Sequence, residues 1–453
     1  MLLDKMTFTT MATTMITHFK HGFDWRMLLS GAWFETIAAA LLAILVLATG
    51  YRPPWWFWTR NHNTNADAGD NGNRKFKSGR DVPGPLALPI FGTRWIFSRF
   101  GHYSMNKIHE AYKDLNRQYG PLCKEEALWN CLVVSVFSRR DIEAVLKRGS
   151  RYPLRPPQEV ISHYRRSRRD RYTNLGLVNE QGATWQKLRS ALTPELTGAS
   201  TVFGFFPALN IVTDGFIELI RKRRSGSTTV AGFEELAYKM GLESTCTLIL
   251  GRHLGFLKPD SSSTLTIRLA EAVRIHFTAS RDAFYGLPLW KLLPTSAYKQ
   301  LIESEDAIYK YVFVYVIYFR LMPTTPCIAR ILDEPIELGG YRLDPGTVVL
   351  LHTWIAGMSK ENFKDASECM PERWLKPTLP HSPLLVAPFG AGRRICPGKR
   401  FVELALQLIL AKIAREFEIV VEEELSLQFE FILAPQSPVS LGFRDRMSKV
   451  EVA

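Results

Sequence analysis

The spacing of hydrophobic residues predicts a mainly helical chain with small β-sheets. Met105–Tyr119 and Gly232–Leu250 carry apolar residues at roughly helical intervals, as amphipathic helices do. Strand patterns are few. Leu132–Phe137 predicts a strand, and Ile336–Leu338 with Thr347–Leu351 predicts a hairpin-like pair joined through two glycine-containing turns. The balance favours a mainly α architecture.

The first 81 residues are patterned differently from the rest. Leu28–Leu47 is mainly apolar, and Trp55, Trp56 and Trp58 follow it, as in the aromatic belt at a membrane interface. The run is marginal as a spanning helix, so residues 1–60 are predicted to be a membrane anchor or an import segment. Residues 61–81 are polar and rich in Asn, Asp and Gly, which predicts a linker before a globular domain over 82–453.

Composition excludes several classes of protein. With 453 residues, 46% of them hydrophobic, the chain can bury a large core, so disorder is not expected. Six cysteines without a C-x-x-C pair exclude a disulfide framework and zinc-site spacing, and they suit a reducing compartment. The net charge of +13 permits an anionic membrane or an acidic protein partner. No nucleic-acid motif accompanies the arginine-rich run 165–171, so we interpret that run as solvated surface and expect no nucleic-acid partner.

One cysteine lies in a distinctive loop that fits the pattern F-x-x-G-x-R-x-C-x-G. The fixed positions of this loop are Phe389, Gly392, Arg394, Cys396 and Gly398. The apolar stretch 401–417 that follows predicts a buried helix, so Cys396 is expected just before a helix N-terminus. Free N–H groups there should depress the pKa of the thiol, and Phe389 should shield the sulfur. The alternative is a buried cysteine in a glycine-rich turn.

The loop resembles that of the cytochromes P-450, and the resemblance covers roughly residues 82–310 and 320–445. It implies a haem b cofactor with Cys396 as the axial iron ligand, held within the loop by the residues listed above. Trp185 and Arg189 match the W-x-x-x-R helix that contacts a haem propionate, and Arg330 lies where another propionate contact is common. Residues 371–374 match the P-E-R-[FW] element, whose arginine would be Arg373.

A narrower resemblance is to the mitochondrial class. Lys399 and Arg400 match basic residues that dock an acidic ferredoxin, although surface charge at a helix start is the alternative. Four stretches are similar to insect steroid hydroxylases of that class, which implies oxygen-dependent hydroxylation of ecdysone to 20-hydroxyecdysone. These stretches are 176–182, 233–237, 241–246 and 282–288. Leu433–Pro435, in a predicted loop, is either a substrate contact or a plain turn. The inner mitochondrial membrane is expected, and the endoplasmic reticulum is the alternative compartment.

The centre of the family pattern is missing. The oxygen-activating element [AG]-G-x-[DE]-T occurs nowhere, so no catalytic residue is assigned. Only Tyr311–Phe319 separates the last family-like helix from Arg320, and Ile317 stands where the glutamate of E-x-x-R should bind Arg320 and Arg373. We therefore expect an internal deletion near 310–320 and an incomplete fold. The alternatives are a catalytically inactive truncated isoform, a faulty gene model, or a haem-thiolate isomerase or dehydratase.

Overall fold

The computed structural model divides the chain into two compact units, Met1–Asn71 and Gly72–Ala453. The described residues of the first unit are 36, 37, 40 and 41. Those of the second are 76–98, 100–224, 228–251, 253–258, 264–286, 289–291, 293–311, 325–368, 370, 384–421, 425–436 and 438–446. Among these residues, no helix is both long enough and apolar enough to cross a bilayer.

Helices dominate the described part of the second unit, as the sequence predicts. They are α1 (Ile108–Tyr119), α2 (Arg139–Lys147), α3 (Glu159–Ser167), α4 (Gly176–Asn179), α5 (Gly182–Thr197), α6 (Ala199–Gly204), α7 (Phe206–Arg223), α8 (Phe233–Leu250), α9 (Thr264–Tyr285), α10 (Ser296–Tyr311), α11 (Thr353–Gly357) and α12 (Lys399–Glu416). The two predicted amphipathic helices correspond to α1, preceded by a short 3-10 turn, and to α8.

The described strands form four small sheets. The strands are β1 (Lys77–Ser78), β2 (Leu122–Glu126), β3 (Leu132–Val136), β4 (Thr229–Ala231), β5 (Ile328–Ile331), β6 (Ile336–Leu338), β7 (Tyr341–Leu343), β8 (Val348–Leu351), β9 (Phe417–Val420), β10 (Leu427–Phe429), β11 (Leu433–Pro435) and β12 (Ser440–Asp445). Their orders are β2-β3-β8-β5, β1-β7-β6, β4-β12-β9 and β10-β11. In the largest sheet, β8 runs parallel to β3 and antiparallel to β5.

Two buried clusters hold this architecture together. One lies on the four-stranded sheet, where Val134, Val349 and Leu351 are fully buried. The other packs α7, α8 and α12 around Phe417 and Phe443, whose rings meet edge to face with centroids 5.6 Å apart. Burial of large apolar side chains contributes most of the stabilisation at such contacts. The clusters therefore fix both the sheet that carries β5 and the helix that follows the cysteine loop.

Three sequence predictions are corrected by the structure. The pair 336–338 and 347–351 is not a hairpin, because β6 pairs with the unpredicted β7 while β8 pairs with β3 and β5. Leu433–Pro435 is strand β11 and not a loop. The stretch 401–417 is buried on one face only: α12 ends at Glu416, and Leu410 is 52% exposed.

Candidate functional site

The cysteine loop leads directly into α12, with Cys396 three residues before the helix begins. The Cys396 N–H donates to the carbonyl oxygen of Phe389 at 2.8 Å, which closes the loop. Phe389 is buried, and it belongs to an apolar cluster with Phe401 and Ala405. Cys396 is partly buried and packs against this cluster. The sulfur is therefore held beside apolar side chains at the N-terminal end of a helix, as the sequence predicts.

The electrostatics of Cys396 differ from the sequence prediction. Burial raises the pKa of the Cys396 thiol, while the backbone N–H of Gly398 and the cation of Arg189 act in the opposite direction. The predicted depression is wrong for the protein alone, because the loss of hydration outweighs those two interactions. The glycines also differ: Gly392 has φ +66°, a left-handed conformation that favours glycine, whereas Gly398 has φ −78°, which any residue adopts.

Trp185 and Arg394 form the best-defined contact of the site. Trp185 is 1% exposed, and the guanidinium carbon of Arg394 lies 3.9 Å from the centre of its ring. This is a cation–π contact between a partly exposed guanidinium and a buried ring. The guanidinium also donates hydrogen bonds to main-chain and amide oxygens from two neighbouring segments. Its acceptors are Pro153 O at 2.9 Å, Leu177 O at 3.4 Å, Glu180 O at 3.0 Å and Gln181 Oε1 at 2.9 Å.

Four arginines converge near Cys396, and their charges influence one another. They are Arg155, Arg189, Arg330 and Arg394. Burial is the main cause that lowers the pKa of all four. The pKa of Arg330 and of Arg394 falls to about 10, because the positive charge of Arg155 adds to burial at Arg330, and the charges of the other three arginines add to it at Arg394. The Arg330 guanidinium donates to Ala391 O at 3.1 Å, within the cysteine loop.

Within the described ranges, none of these four arginines forms an ion pair with a carboxylate. The ion pairs found in this part of the chain involve other cations, such as Arg139, Arg165 and Lys399. Partly buried positive charges without a counter-charge are costly, so the cluster favours an anion that enters from outside the chain. The arrangement fits a planar ligand whose anionic edge meets the arginines and whose metal meets the Cys396 sulfur.

Arg155 is the member of the arginine cluster that the sequence analysis did not identify. It lies in Pro153-Leu-Arg-Pro-Pro157, where prolines on both sides restrict the backbone. Gln181 fixes it further, because the Arg155 N–H donates to Gln181 Oε1 at 3.2 Å and Gln181 Nε2 donates to Arg155 O at 2.7 Å. The available signal in the sequence was a charged residue flanked by three prolines, which indicates a fixed backbone position.

The remaining predicted residues lie apart from this cluster or outside the described part of the chain. Lys399 begins α12 and lies 3.7 Å from Glu403, and Arg400 is exposed while donating to Thr197 O at 2.6 Å. Both are therefore at the predicted helix start. Arg320, Arg373 and the element 371–374 fall outside the described residues.

Comparison with known proteins identifies relatives of the whole domain. The family model for cytochrome P450 matches residues 82–316 and 318–443. Ecdysone 20-monooxygenase of Drosophila melanogaster is 38% identical over 479 aligned positions, which take in 81% of this chain and 89% of that protein. Cytochrome P450 302a1, mitochondrial, of the same species is 22% identical over 470 positions, with 81% and 95% covered. The mitochondrial 1,25-dihydroxyvitamin D(3) 24-hydroxylase of Mus musculus is 23% identical over 463 positions, with 81% and 89% covered.

Proposed function

The chain belongs to the cytochrome P450 family and is a monooxygenase related to ecdysone 20-monooxygenase, and from that premise we propose that it hydroxylates a steroid, ecdysone. The 38% identity to a protein with that printed activity supports the substrate class. The observation that carries the site assignment is the convergence beside Cys396 of four arginines that have no carboxylate partner among the described residues.

The family implies a haem iron cofactor, and the residues present fit haem b. The Cys396 sulfur would bind the iron, and Arg155, Arg189, Arg330 and Arg394 would meet the two propionates. When bound, the haem supplies the activation of dioxygen for hydroxylation of a C–H bond. Phe389 and its apolar neighbours keep water from the sulfur, and Arg189 favours the thiolate that binds iron.

The direct test is uptake of iron protoporphyrin IX by the purified chain, followed by the carbon-monoxide difference spectrum of its reduced form. A thiolate-type spectrum that disappears in Cys396→Ser supports the assignment. Uptake that is unaffected by Cys396→Ser would overturn it. Turnover is tested separately by incubation with ecdysone, a ferredoxin and its reductase.

We propose a ferredoxin-type donor that docks on the start of α12. Lys399 and Arg400 are basic there, and the chain as a whole carries a net charge of +13, which suits an acidic partner. The mitochondrial relatives support this class of donor and a mitochondrial location, which we place at the inner membrane. Residues 1–60 would anchor or import the protein, and residues 61–81 would link them to the enzyme domain. Recovery in the mitochondrial membrane fraction after cell fractionation tests the location, and recovery with the endoplasmic reticulum would contradict it.

We also propose that the chain lacks an internal segment near residues 310–320. Each of the three alignments above has more positions than the 453 residues of the chain. In the first, 81% of 453 residues is about 367, so about 110 of the 479 positions lie opposite gaps in this chain. The two matched parts of the family model meet at Ile317, which supports a break at that point.

Sequencing of the native transcript across the codons for Ser304 to Pro326 tests this proposal. A longer coding segment with an acid–threonine pair and a glutamate three residues before Arg320 would restore the full monooxygenase. If the short form is the only transcript, the second candidate applies: a haem-binding relative without turnover. The absence of [AG]-G-x-[DE]-T and the presence of Ile317 favour that candidate for the short form.

A further inference from the structure

The arginine-rich run 165–171 is not simply solvated surface, because its first member is buried. Arg165 is 8% exposed and forms a two-pronged ion pair with Glu305 on α10. Its Nε lies 3.1 Å from Oε2, and its Nη2 lies 3.1 Å from Oε1. Loss of either partner of such a buried pair is destabilising, because the remaining charge loses its counter-charge.

The same guanidinium also holds the turn that precedes α5. Arg165 Nη1 donates to Leu175 O at 2.8 Å, and the Leu175 N–H donates to Glu180 Oε1 at 2.8 Å. Gly176 has φ +80°, and a Cβ atom there would lie 2.7 Å from Arg165 Nη1. Guanidinium and turn therefore pack as one unit.

The same turn, residues 175–181, also forms hydrogen bonds with the arginine cluster. The carbonyl groups of Leu177 and Glu180 and the side chain of Gln181 accept hydrogen bonds from Arg394. The Gln181 side chain also forms hydrogen bonds with both the N–H and the carbonyl group of Arg155. A continuous set of hydrogen bonds thus runs from the carboxylate of Glu305 to two arginines of the cluster.

The geometry points to Arg165 and Glu305 as positioning residues for the cofactor cradle, by which we mean the four-arginine cluster and Cys396. They fix the turn 175–181, and the turn holds Arg394 and Arg155 where they would meet the carboxylates of the cofactor. Because α10 also packs against α9 and α3, the pair ties an outer layer of helices to the cradle. The identity of the anion rests on the proposed function, whereas the link between pair and turn does not.

The link is tested on the full chain without haem, by hydrogen exchange of the backbone amides of the turn. Glu305→Gln keeps the shape of the side chain and removes its charge, and Glu303→Gln makes the same change at an exposed position of α10. We expect exchange at Leu175 and Glu180 to accelerate at least about tenfold in the first variant and to stay unchanged in the second. Unchanged exchange in the turn, or equal acceleration there and in β3, would overturn the inference.

The consequence for the cradle is tested by titration with iron protoporphyrin IX. Glu305→Gln and Arg394→Lys should each weaken binding, and the loss of binding free energy in the double variant should be smaller than the sum of the two single losses, because Glu305 acts in part through Arg394. Additive losses would show that Glu305 does not act through Arg394 and would overturn the positioning role. If the unmodified chain takes up no porphyrin, the proposed function fails, and the exchange experiment still decides the link.

Discussion

Replacement of Arg155 by glutamine should have two opposite effects, one on the protein alone and one on its binding of haem. Arg155 lies among partly buried arginines, and its charge lowers the pKa of both Arg330 and Arg394. Its removal therefore relieves repulsion when no cofactor is bound. The same removal deletes a cation that we assign to a propionate. If Arg155 had a purely structural role, its replacement would instead weaken both the stability of the protein alone and its binding of haem, or leave both unchanged.

The two magnitudes follow from where the charge lies. Repulsion between neighbouring, partly buried cations is on the order of 1–2 kcal/mol each, and the partial exposure of Arg155 screens it. We therefore expect the free energy of unfolding of the protein alone to rise by up to about 1 kcal/mol. A hydrogen bond to a charged group contributes about 1.5–3 kcal/mol. Porphyrin affinity should accordingly fall about 10- to 100-fold.

The assay combines urea denaturation, followed by circular dichroism, with absorbance titration of iron protoporphyrin IX. Arg151→Gln is the matched control, because Arg151 is exposed four residues upstream. The dimethyl ester of the porphyrin, which lacks carboxylates, should bind Arg155→Gln and the unmodified chain equally. Lower stability of the protein alone together with unchanged porphyrin affinity would refute the reasoning.

Three further substitutions test separate features of the site and its scaffold. Trp185→Ala removes a fully buried ring under Arg394 and should cost about 3–5 kcal/mol, measured as a lower urea midpoint; an unchanged midpoint would contradict the packing. Burial lowers the pKa of His352 to about 3, so between pH 6.5 and about 3 the unfolded chain binds a proton that the folded chain does not bind. The free energy of unfolding should therefore decrease as the pH is lowered through this range. His352→Gln should flatten that fall in urea melts at several pH values, and an unchanged slope would count against it. Lys399→Glu should weaken ferredoxin binding severalfold at low salt, whereas Lys360→Glu, at an exposed position, should not. Equal losses of binding in the two variants would contradict docking at α12.

Sequence patterns predicted the local elements well and the pairing of strands poorly. Helix α8 and strand β3 follow from the periodicity of their own residues, which is a local property. The hairpin was wrong because Gly339 and Gly340, with φ +53° and +85°, form a two-residue turn that joins β6 to the very short β7. Strand β8 instead pairs in parallel with β3, more than 200 residues earlier, which no local pattern indicates.

The same distinction applies to the site. Cys396, Trp185 and Arg394 belong to motifs with fixed spacing, and the structure brings them together. Arg155 belongs to no periodic pattern, since it gains its place only when the cysteine loop folds against a proline-rich segment some 240 residues earlier. Arg165 was misinterpreted as surface because a run of like charges resembles solvated sequence until its partner, Glu305, is known.

The position of the proposed deletion explains why so much of the cradle survives it. Arg155, Trp185 and Arg189 precede the break, whereas Arg330, Arg394 and Cys396 follow it, and the two sets still converge. The residues that would bind the propionates and the iron are therefore present without the missing segment. What the segment would add is the acid–threonine pair and the buried glutamate of E-x-x-R. We therefore expect haem binding and oxygen chemistry to be separable in this protein, so that porphyrin affinity of the short chain tests the arginine cluster and Cys396, and a longer transcript tests the reaction.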